Sequence, residues 1–217
     1  MKEIESYLNI KQSIPEGITL VAVSKTRSID EMMRLYEAGQ RDFGENRVSE
    51  LLEKKDKMPL DVRWHLIGHL QTNKVKFIAP FISLIHSIDS EKLLAEVNRQ
   101  AQKQGRIITC LWQVFVATED TKFGLLPEEI ETIHCKETLD QYPNIRISGI
   151  MAMASLTNNA DQIHKEFAKA RAVFNQLKTN NLYPHKMEIL SMGMSSDYKI
   201  AIEEGSTMLR IGSKLFE

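Results

Sequence analysis

The chain has 217 residues, 42% of them hydrophobic and 26% charged, with 28 basic side chains against 29 acidic ones. This is the composition of an ordinary globular protein with enough residues to bury a sizeable core. The near-zero net charge, with basic and acidic residues interspersed, speaks against nucleic acid or an anionic membrane as partner. No apolar run approaches the ~20 residues needed to span a bilayer.

The first residues, Met1-Lys-Glu-Ile-Glu-Ser6, are charged and helix-forming rather than the apolar core of a secretion signal. A helix is expected over roughly Lys2 to Lys11. Ile18-Thr-Leu-Val-Ala-Val-Ser24 is short, apolar and β-branched, and predicts a buried strand. Ser28-Ile-Asp-Glu31 is a capping box, with Ile29, Met32, Met33 and Tyr36 behind it and Gly39 as the stop. A strand at Arg41–Gly44 and a helix from about Asn46 to Lys57 follow. Next come a strand at Arg63–Ile67, a helix at Leu70–Ile78 ended by Pro80, and a strand at Ile82–Ile88. Ser90 caps a helix carrying Leu93, Leu94, Val97 and Ala101, stopped by Gly105. Ile107–Val116 is a fifth strand, and Pro127 opens a helix with Glu128 and Glu129 in its first turn, where the helix dipole favours them. A sixth strand spans Ile145–Met151. Ile163, Phe167, Ala170, Phe174 and Leu177 then step by four and three along one face of a long helix. A strand at Met187–Leu190, a short helix at Ser196–Glu204 and a strand at Thr207–Ile211 complete the series.

Eight strands alternating with helices, without a Pro/Gly/Ser-rich linker, predict an α/β chain forming one (β/α)8 barrel, a TIM barrel, over residues 1–217. Only six residues follow the eighth strand, so the N-terminal helix is expected to take the place of the eighth helix. The structural alternative is a doubly wound open sheet.

Barrels of this kind place chemistry at the carboxyl ends of the strands, often with phosphate bound by the loops after strands seven and eight. There the sequence reads Ser191-Met-Gly-Met-Ser-Ser-Asp197 and Arg210-Ile-Gly-Ser213. Glycines that permit close approach, hydroxyls and a helix start make a phosphate cradle. Strand one neighbours strand eight in a closed barrel, and Lys25 follows strand one on the rim of the apolar interior. Partial desolvation there would favour the free amine, which attacks carbonyls. An amine beside an anion site suits a phosphate-bearing aldehyde held as an imine. Pyridoxal 5′-phosphate is one such molecule, and a phosphosugar in an aldolase is the other.

Other residues are weaker candidates. His65 and His69 are four apart, but Gly68 separates them and no third ligand is near, so no metal is expected. Met192 and Met194 are read as packing beside a ligand or core, with Met192 counted in the cofactor site. Arg47 and Lys74 lie at helix starts near the mouth, where they either bind anions or are solvated. Glu45 and Asp120 are taken as solvated loop carboxylates. Cys110 and Cys135 lack metal-ligand spacing and are read as reduced thiols of a cytoplasmic protein.

Five segments carry a specific resemblance: Val21-Ala-Val-Ser-Lys-Thr26, Phe43-Gly-Glu-Asn-Arg-Val48, Trp64-His-Leu-Ile-Gly68 with Leu70-Gln-Thr-Asn-Lys74, Leu190-Ser-Met-Gly-Met-Ser195, and Gly205-Ser-Thr-Met-Leu-Arg-Ile-Gly212. In order along the whole chain they resemble the pyridoxal phosphate homeostasis protein family, single-domain relatives of the alanine racemase barrel. The resemblance implies that Lys25 carries pyridoxal 5′-phosphate as an internal aldimine. It implies further that Ser195, Gly212 and Ser213 hold the phosphate, that Arg210 faces the pyridine nitrogen, and that Asn46 and His65 line the ring pocket. Met151-Ala-Met-Ala154 lacks the proline expected of the family near this point. The implied role is intracellular cofactor homeostasis without robust catalysis, with pyridoxal-phosphate-dependent apoenzymes as candidate recipients and a monomer as the assembly. The alternative is an amino-acid racemase-like enzyme. Racemisation needs an acid/base on the opposite face of the cofactor, which the two-domain racemases take as a tyrosine from a β-domain absent here.

Overall fold

The computed structural model describes residues 2–117, 124–180, 182 and 184–216. Its strands are β1 (Thr19–Val23), β2 (Asp42–Glu45), β3 (Arg63–Leu66), β4 (Leu84–Ile88), β5 (Ile108–Val114), β6 (Ile145–Ala152), β7 (Ile189–Ser191) and β8 (Met208–Ile211). They pair in parallel, each with its successor, and β8 closes on β1 through Leu20↔Leu209, Val21↔Arg210 and Ala22↔Ile211. The chain is therefore a closed (β/α)8 barrel, as the alternation of elements predicts.

Around it lie α1 (Lys2–Ser13), α2 (Ile29–Glu37), α3 (Val48–Lys55), α4 (Val75–Ile78), α5 (Glu91–Lys103), α6 (Pro127–Ile133), α7 (Lys136–Leu139), α8 (Ala160–Thr179) and α9 (Tyr198–Glu203). Local sequence sets several of these boundaries. Ser28 and Glu31 form both bonds of the capping box of α2, and the Ser90 hydroxyl accepts from the Leu93 N–H at 3.3 Å to start α5. The segment after β3 departs from expectation: Thr72–Lys74 is a 3₁₀ turn, and only Val75–Ile78 is α-helical. The helix expected from Asn46 begins at Val48, because Asn46 and Arg47 carry the chain out of β2.

α1 occupies the outer position left open after β8, packing on α2 and on the 3₁₀ turn Ser213–Leu215. Its Tyr7 is fully buried, and the phenol donates to Gln40 Oε1 at 3.3 Å.

Side-chain alternation divides the apolar residues into two layers. Val21, Leu84, Leu111, Met151 and Met208 fill the barrel interior, while Leu20, Ala22, Phe43, Trp64 and Leu66 face the helices. The same phase directs Asp42, His65, His86, Ser191 and Arg210 inward, where the hydrogen bonds described below join them. No helix among the described residues is long and apolar enough to cross a membrane.

Candidate functional site

Lys25, Asn46, Ser195, Gly212 and Ser213 all follow the carboxyl ends of their strands, on one rim of the barrel. Lys25 is exposed, so the desolvation expected of it is not found. The turn that carries it is unusual: Thr26 has φ +63°, a left-handed conformation uncommon for a β-branched residue. The Thr26 N–H donates to Glu50 Oε2 at 3.0 Å, tying the turn to α3.

Beside it stands the glycine-serine rim. The Gly212 N–H donates to Ser195 Oγ at 3.3 Å, so the loops after β7 and β8 are joined. A Cβ on Gly212 would lie 3.3 Å from Val23 Cβ, placing this turn against the end of β1, two residues before Lys25. Gly193 has φ +98°, and a Cβ there would come within 2.6 Å of Ala201 Cβ and 2.9 Å of Leu209 Cδ2. Only glycine lets the loop pack down on α9 and β8. Asp197 braces the same loop by accepting the Met194 N–H at 2.5 Å. Ser195 is half-buried and Ser213 exposed, so both lie within reach of the mouth.

Arg210 is buried in the interior, where Nη1 donates to Ser191 Oγ at 2.6 Å and Nη2 to the Ala152 carbonyl at 2.9 Å. Burial lowers its pKa to about 10, leaving it cationic at neutral pH. Ser191 Oγ lies 3.1 Å from His86 Nδ1, and His86 Nε2 lies 3.0 Å from His65 Nδ1. His65 Nε2 is 3.1 Å from Asp42 Oδ1, and Arg63 grips that carboxylate through Nε at 2.7 Å and Nη2 at 2.5 Å. Burial pushes the Asp42 pKa up, but hydrogen bonds from Arg63 and His65 outweigh it and hold the value at about 2. Burial, with His65 and Arg210 nearby, drives His86 well below the ordinary histidine range.

The sequence expectations for Met192 and Glu45 are corrected. Met192 is 0% exposed and packs in the apolar layer between strands and helices, so its side chain does not line the mouth. Both nitrogens of His65 are taken by His86 and Asp42 inside the barrel. Glu45 is not solvated but 0% exposed: it closes β2 on the outward face and accepts from Lys54 Nζ at 2.8 Å and Ser24 Oγ at 2.7 Å. Burial raises its pKa despite those partners. Asp120 lies outside the described residues. His69 is paired with Asp89 at 3.1 Å and is not brought to His65. Asn46 is half-buried beside Gly68, where a Cβ would come within 2.3 Å of the Asn46 carbonyl oxygen.

His86, Ser191 and Asp42 received no role from sequence. The signal for His86 was a polar pair, His86-Ser87, inside a five-residue buried strand.

Comparison with known proteins agrees with this geometry. Residues 5–217 match the family described as "Alanine racemase, N-terminal domain". A pyridoxal phosphate homeostasis protein of Aquifex aeolicus is 38% identical over 200 residues, 91% of this chain and 85% of that protein. One from Haemophilus influenzae is 35% identical over 218 residues, 99% of this chain and 91% of the relative. Among solved structures, PipY of Synechococcus elongatus with PLP bound superposes with a TM-score of 0.89 at 33% identity, covering 99% of this chain and 100% of that one. An alanine racemase of Clostridium difficile shares the fold alone, with a TM-score of 0.79 at 15% identity over 99% of this chain and 55% of its own. The chain thus belongs to the pyridoxal phosphate homeostasis protein family.

Proposed function

We propose that this chain binds pyridoxal 5′-phosphate covalently through Lys25 and serves intracellular homeostasis of that cofactor without robust turnover. The observation that carries the reading is the packing of Gly212 against Val23. It sets the lysine-bearing end of β1 beside the joined turns of Ser195 and Gly212. The residues fit the group. Ser195, Gly212 and Ser213 hold the phosphate, the exposed Lys25 amine takes the carbonyl carbon, and Arg210 faces the pyridine nitrogen. Asn46 borders the ring. The PLP-bound PipY structure supports the cofactor's identity, and the names of the curated relatives support the role.

When bound, the cofactor supplies a conjugated ring that withdraws electrons from an attached carbon. A permanent cation at Arg210 disfavours protonation of the pyridine nitrogen and so weakens that withdrawal. No described tyrosine stands ready as a second acid/base. Tyr7 bonds Gln40, Tyr36 bonds Asp61, Tyr142 bonds Glu91, and Tyr198 is buried beneath Lys214. These partners favour the carrier over a racemase-like enzyme. The 217 residues act as a single cytoplasmic domain and as a monomer, and hand the cofactor to apoenzymes that depend on it.

The test is the visible spectrum of purified protein given pyridoxal phosphate, followed by borohydride reduction, peptide mapping and an amino-acid racemisation assay. A visible band, a reduced adduct on Lys25 and racemisation at the non-enzymatic rate are expected. A preparation that stays colourless would end the cofactor reading. Robust racemisation abolished by Lys25→Ala would replace the carrier with an enzyme.

A further inference from the structure

Five side chains from five strands form one buried file across the barrel: Asp42, His65, His86, Ser191 and Arg210. Each is less than a tenth exposed. One end reaches the surface at the amino ends of the strands, where Arg63 and Asp42 border a cleft with Lys11 and Arg41. The other end is the guanidinium placed above at the cofactor's ring.

The hydrogens in this file can be assigned from its Arg210 end, and with a neutral His65 the Asp42 end gives the same order. A guanidinium only donates, so Ser191 Oγ accepts from Arg210 Nη1. The serine hydrogen then needs an acceptor, and His86 Nδ1 at 3.1 Å supplies one. At the far end an ionised Asp42 only accepts, so His65 Nε2 carries a hydrogen. A neutral His65 then presents a bare Nδ1 to His86 Nε2 at 3.0 Å. His86 must donate there, which leaves its own Nδ1 bare for Ser191. Every bond points the same way, from Arg210 towards Asp42, and every group in the file is satisfied.

We propose that His86, backed by His65 and Asp42, is a positioning residue for Arg210. It turns the Ser191 hydrogen away from the guanidinium and so holds Ser191 Oγ as a fixed acceptor for Nη1. The Ala152 carbonyl fixes Nη2, so the guanidinium is held in one orientation towards the cofactor. Neutral imidazoles also keep Arg210 the one cation among these five groups. A second charge on His86 would stand across a single hydroxyl from it. That the guanidinium meets the pyridine nitrogen rests on the proposed function; the hydrogen-bond direction does not.

The test begins with ligand-free protein labelled with ¹⁵N at histidine and arginine. Long-range proton–nitrogen correlation should show His65 and His86 both neutral, each with its hydrogen on Nε2. A hydrogen on His86 Nδ1, or a doubly protonated His65 at neutral pH, would overturn the proposal. His86→Leu removes the acceptor of the Ser191 hydrogen, whereas His86→Asn offers its Oδ1 near the position of Nδ1. The Arg210 side-chain resonances of ligand-free protein should shift in His86→Leu and return towards wild type in His86→Asn. With pyridoxal phosphate bound, the visible maximum should follow the same order. Arg210 signals that are the same in both variants and wild type would reject the positioning role. Should wild-type protein take up no cofactor, the proposed function fails, and the ligand-free spectra still decide the relay.

Discussion

Val23 and Gly212 face each other so closely that a Cβ on Gly212 would stand 3.3 Å from Val23 Cβ, a contact the ends of β1 and β8 could take only by shifting. The strand pairing Ala22↔Ile211 immediately before them makes this closeness a property of the barrel's closure rather than of two loops. Lys25 after one strand and the Gly212-Ser213 turn after the other are therefore carried on a junction fixed by strand pairing.

Lys25→Ala removes the amine proposed to take the carbonyl. No visible band and no borohydride-stable adduct should form. Because Lys25 is exposed, the urea midpoint should correspond to a change within about 0.5 kcal/mol. An adduct retained at another lysine would relocate the attachment.

Ser195→Ala deletes a hydroxyl that would bind phosphate and that accepts the Gly212 N–H. Retention of cofactor should weaken by about 1 kcal/mol or somewhat more, roughly a fivefold faster loss on dialysis. Unaltered retention would place the phosphate elsewhere on the rim.

Arg210→Gln should let the pyridine nitrogen protonate more readily while leaving Lys25 and the cradle in place. The spectrum of the bound cofactor and its reactivity towards amino acids should change more than affinity does. If spectrum and reactivity are both unmoved, the guanidinium does not meet the ring.

Asp42 gives a pH dependence whose sign follows from its depressed pKa. The value is 3.8 for an ordinary aspartate and about 2 here. Its contribution to stability is complete above pH 3.8 and is lost as pH falls from there through about 2; the shift corresponds to about 2 kcal/mol. Urea titrations should show this loss in wild-type protein and little of it in Asp42→Asn. Equal acid slopes for the two proteins would deny Asp42 the pairing described.

Gly193→Ala forces a Cβ to within 2.6 Å of Ala201 Cβ at φ +98°. Destabilisation of about 3 kcal/mol is expected, with loss of cofactor retention as the loop lifts from α9. Thermal unfolding with and without pyridoxal phosphate measures both effects, and a variant that unfolds like wild type would mean the loop relaxes freely.

The barrel was legible because its signals are local. Ser28-Glu31 and Ser90 announce helix starts, and the helical face of α8 repeats through Ile163 to Leu177. The loops after β7 and β8 were legible as turns, since Gly193, Ser195 and Gly212 are turn-forming residue types at the ends of short apolar strands. The interior was not. In β4 the two polar residues His86 and Ser87 stand side by side in a wholly buried strand, so no alternation tells which of them faces the axis. Glu45 was misjudged for a related reason. Its burial depends on Lys54, nine positions away on the following helix, which no strand pattern reveals. Met192 was misassigned because a single-residue change of phase moves a side chain from mouth to outer layer.

The left-handed backbone at Thr26 has one more consequence. A threonine there holds about 1–3 kcal/mol that a glycine would release, so this corner sacrifices firmness of fold at the residue after the amine. Glu50 clamps the same peptide from α3. The backbone that carries the lysine is thus fixed from α3 as well as from the barrel.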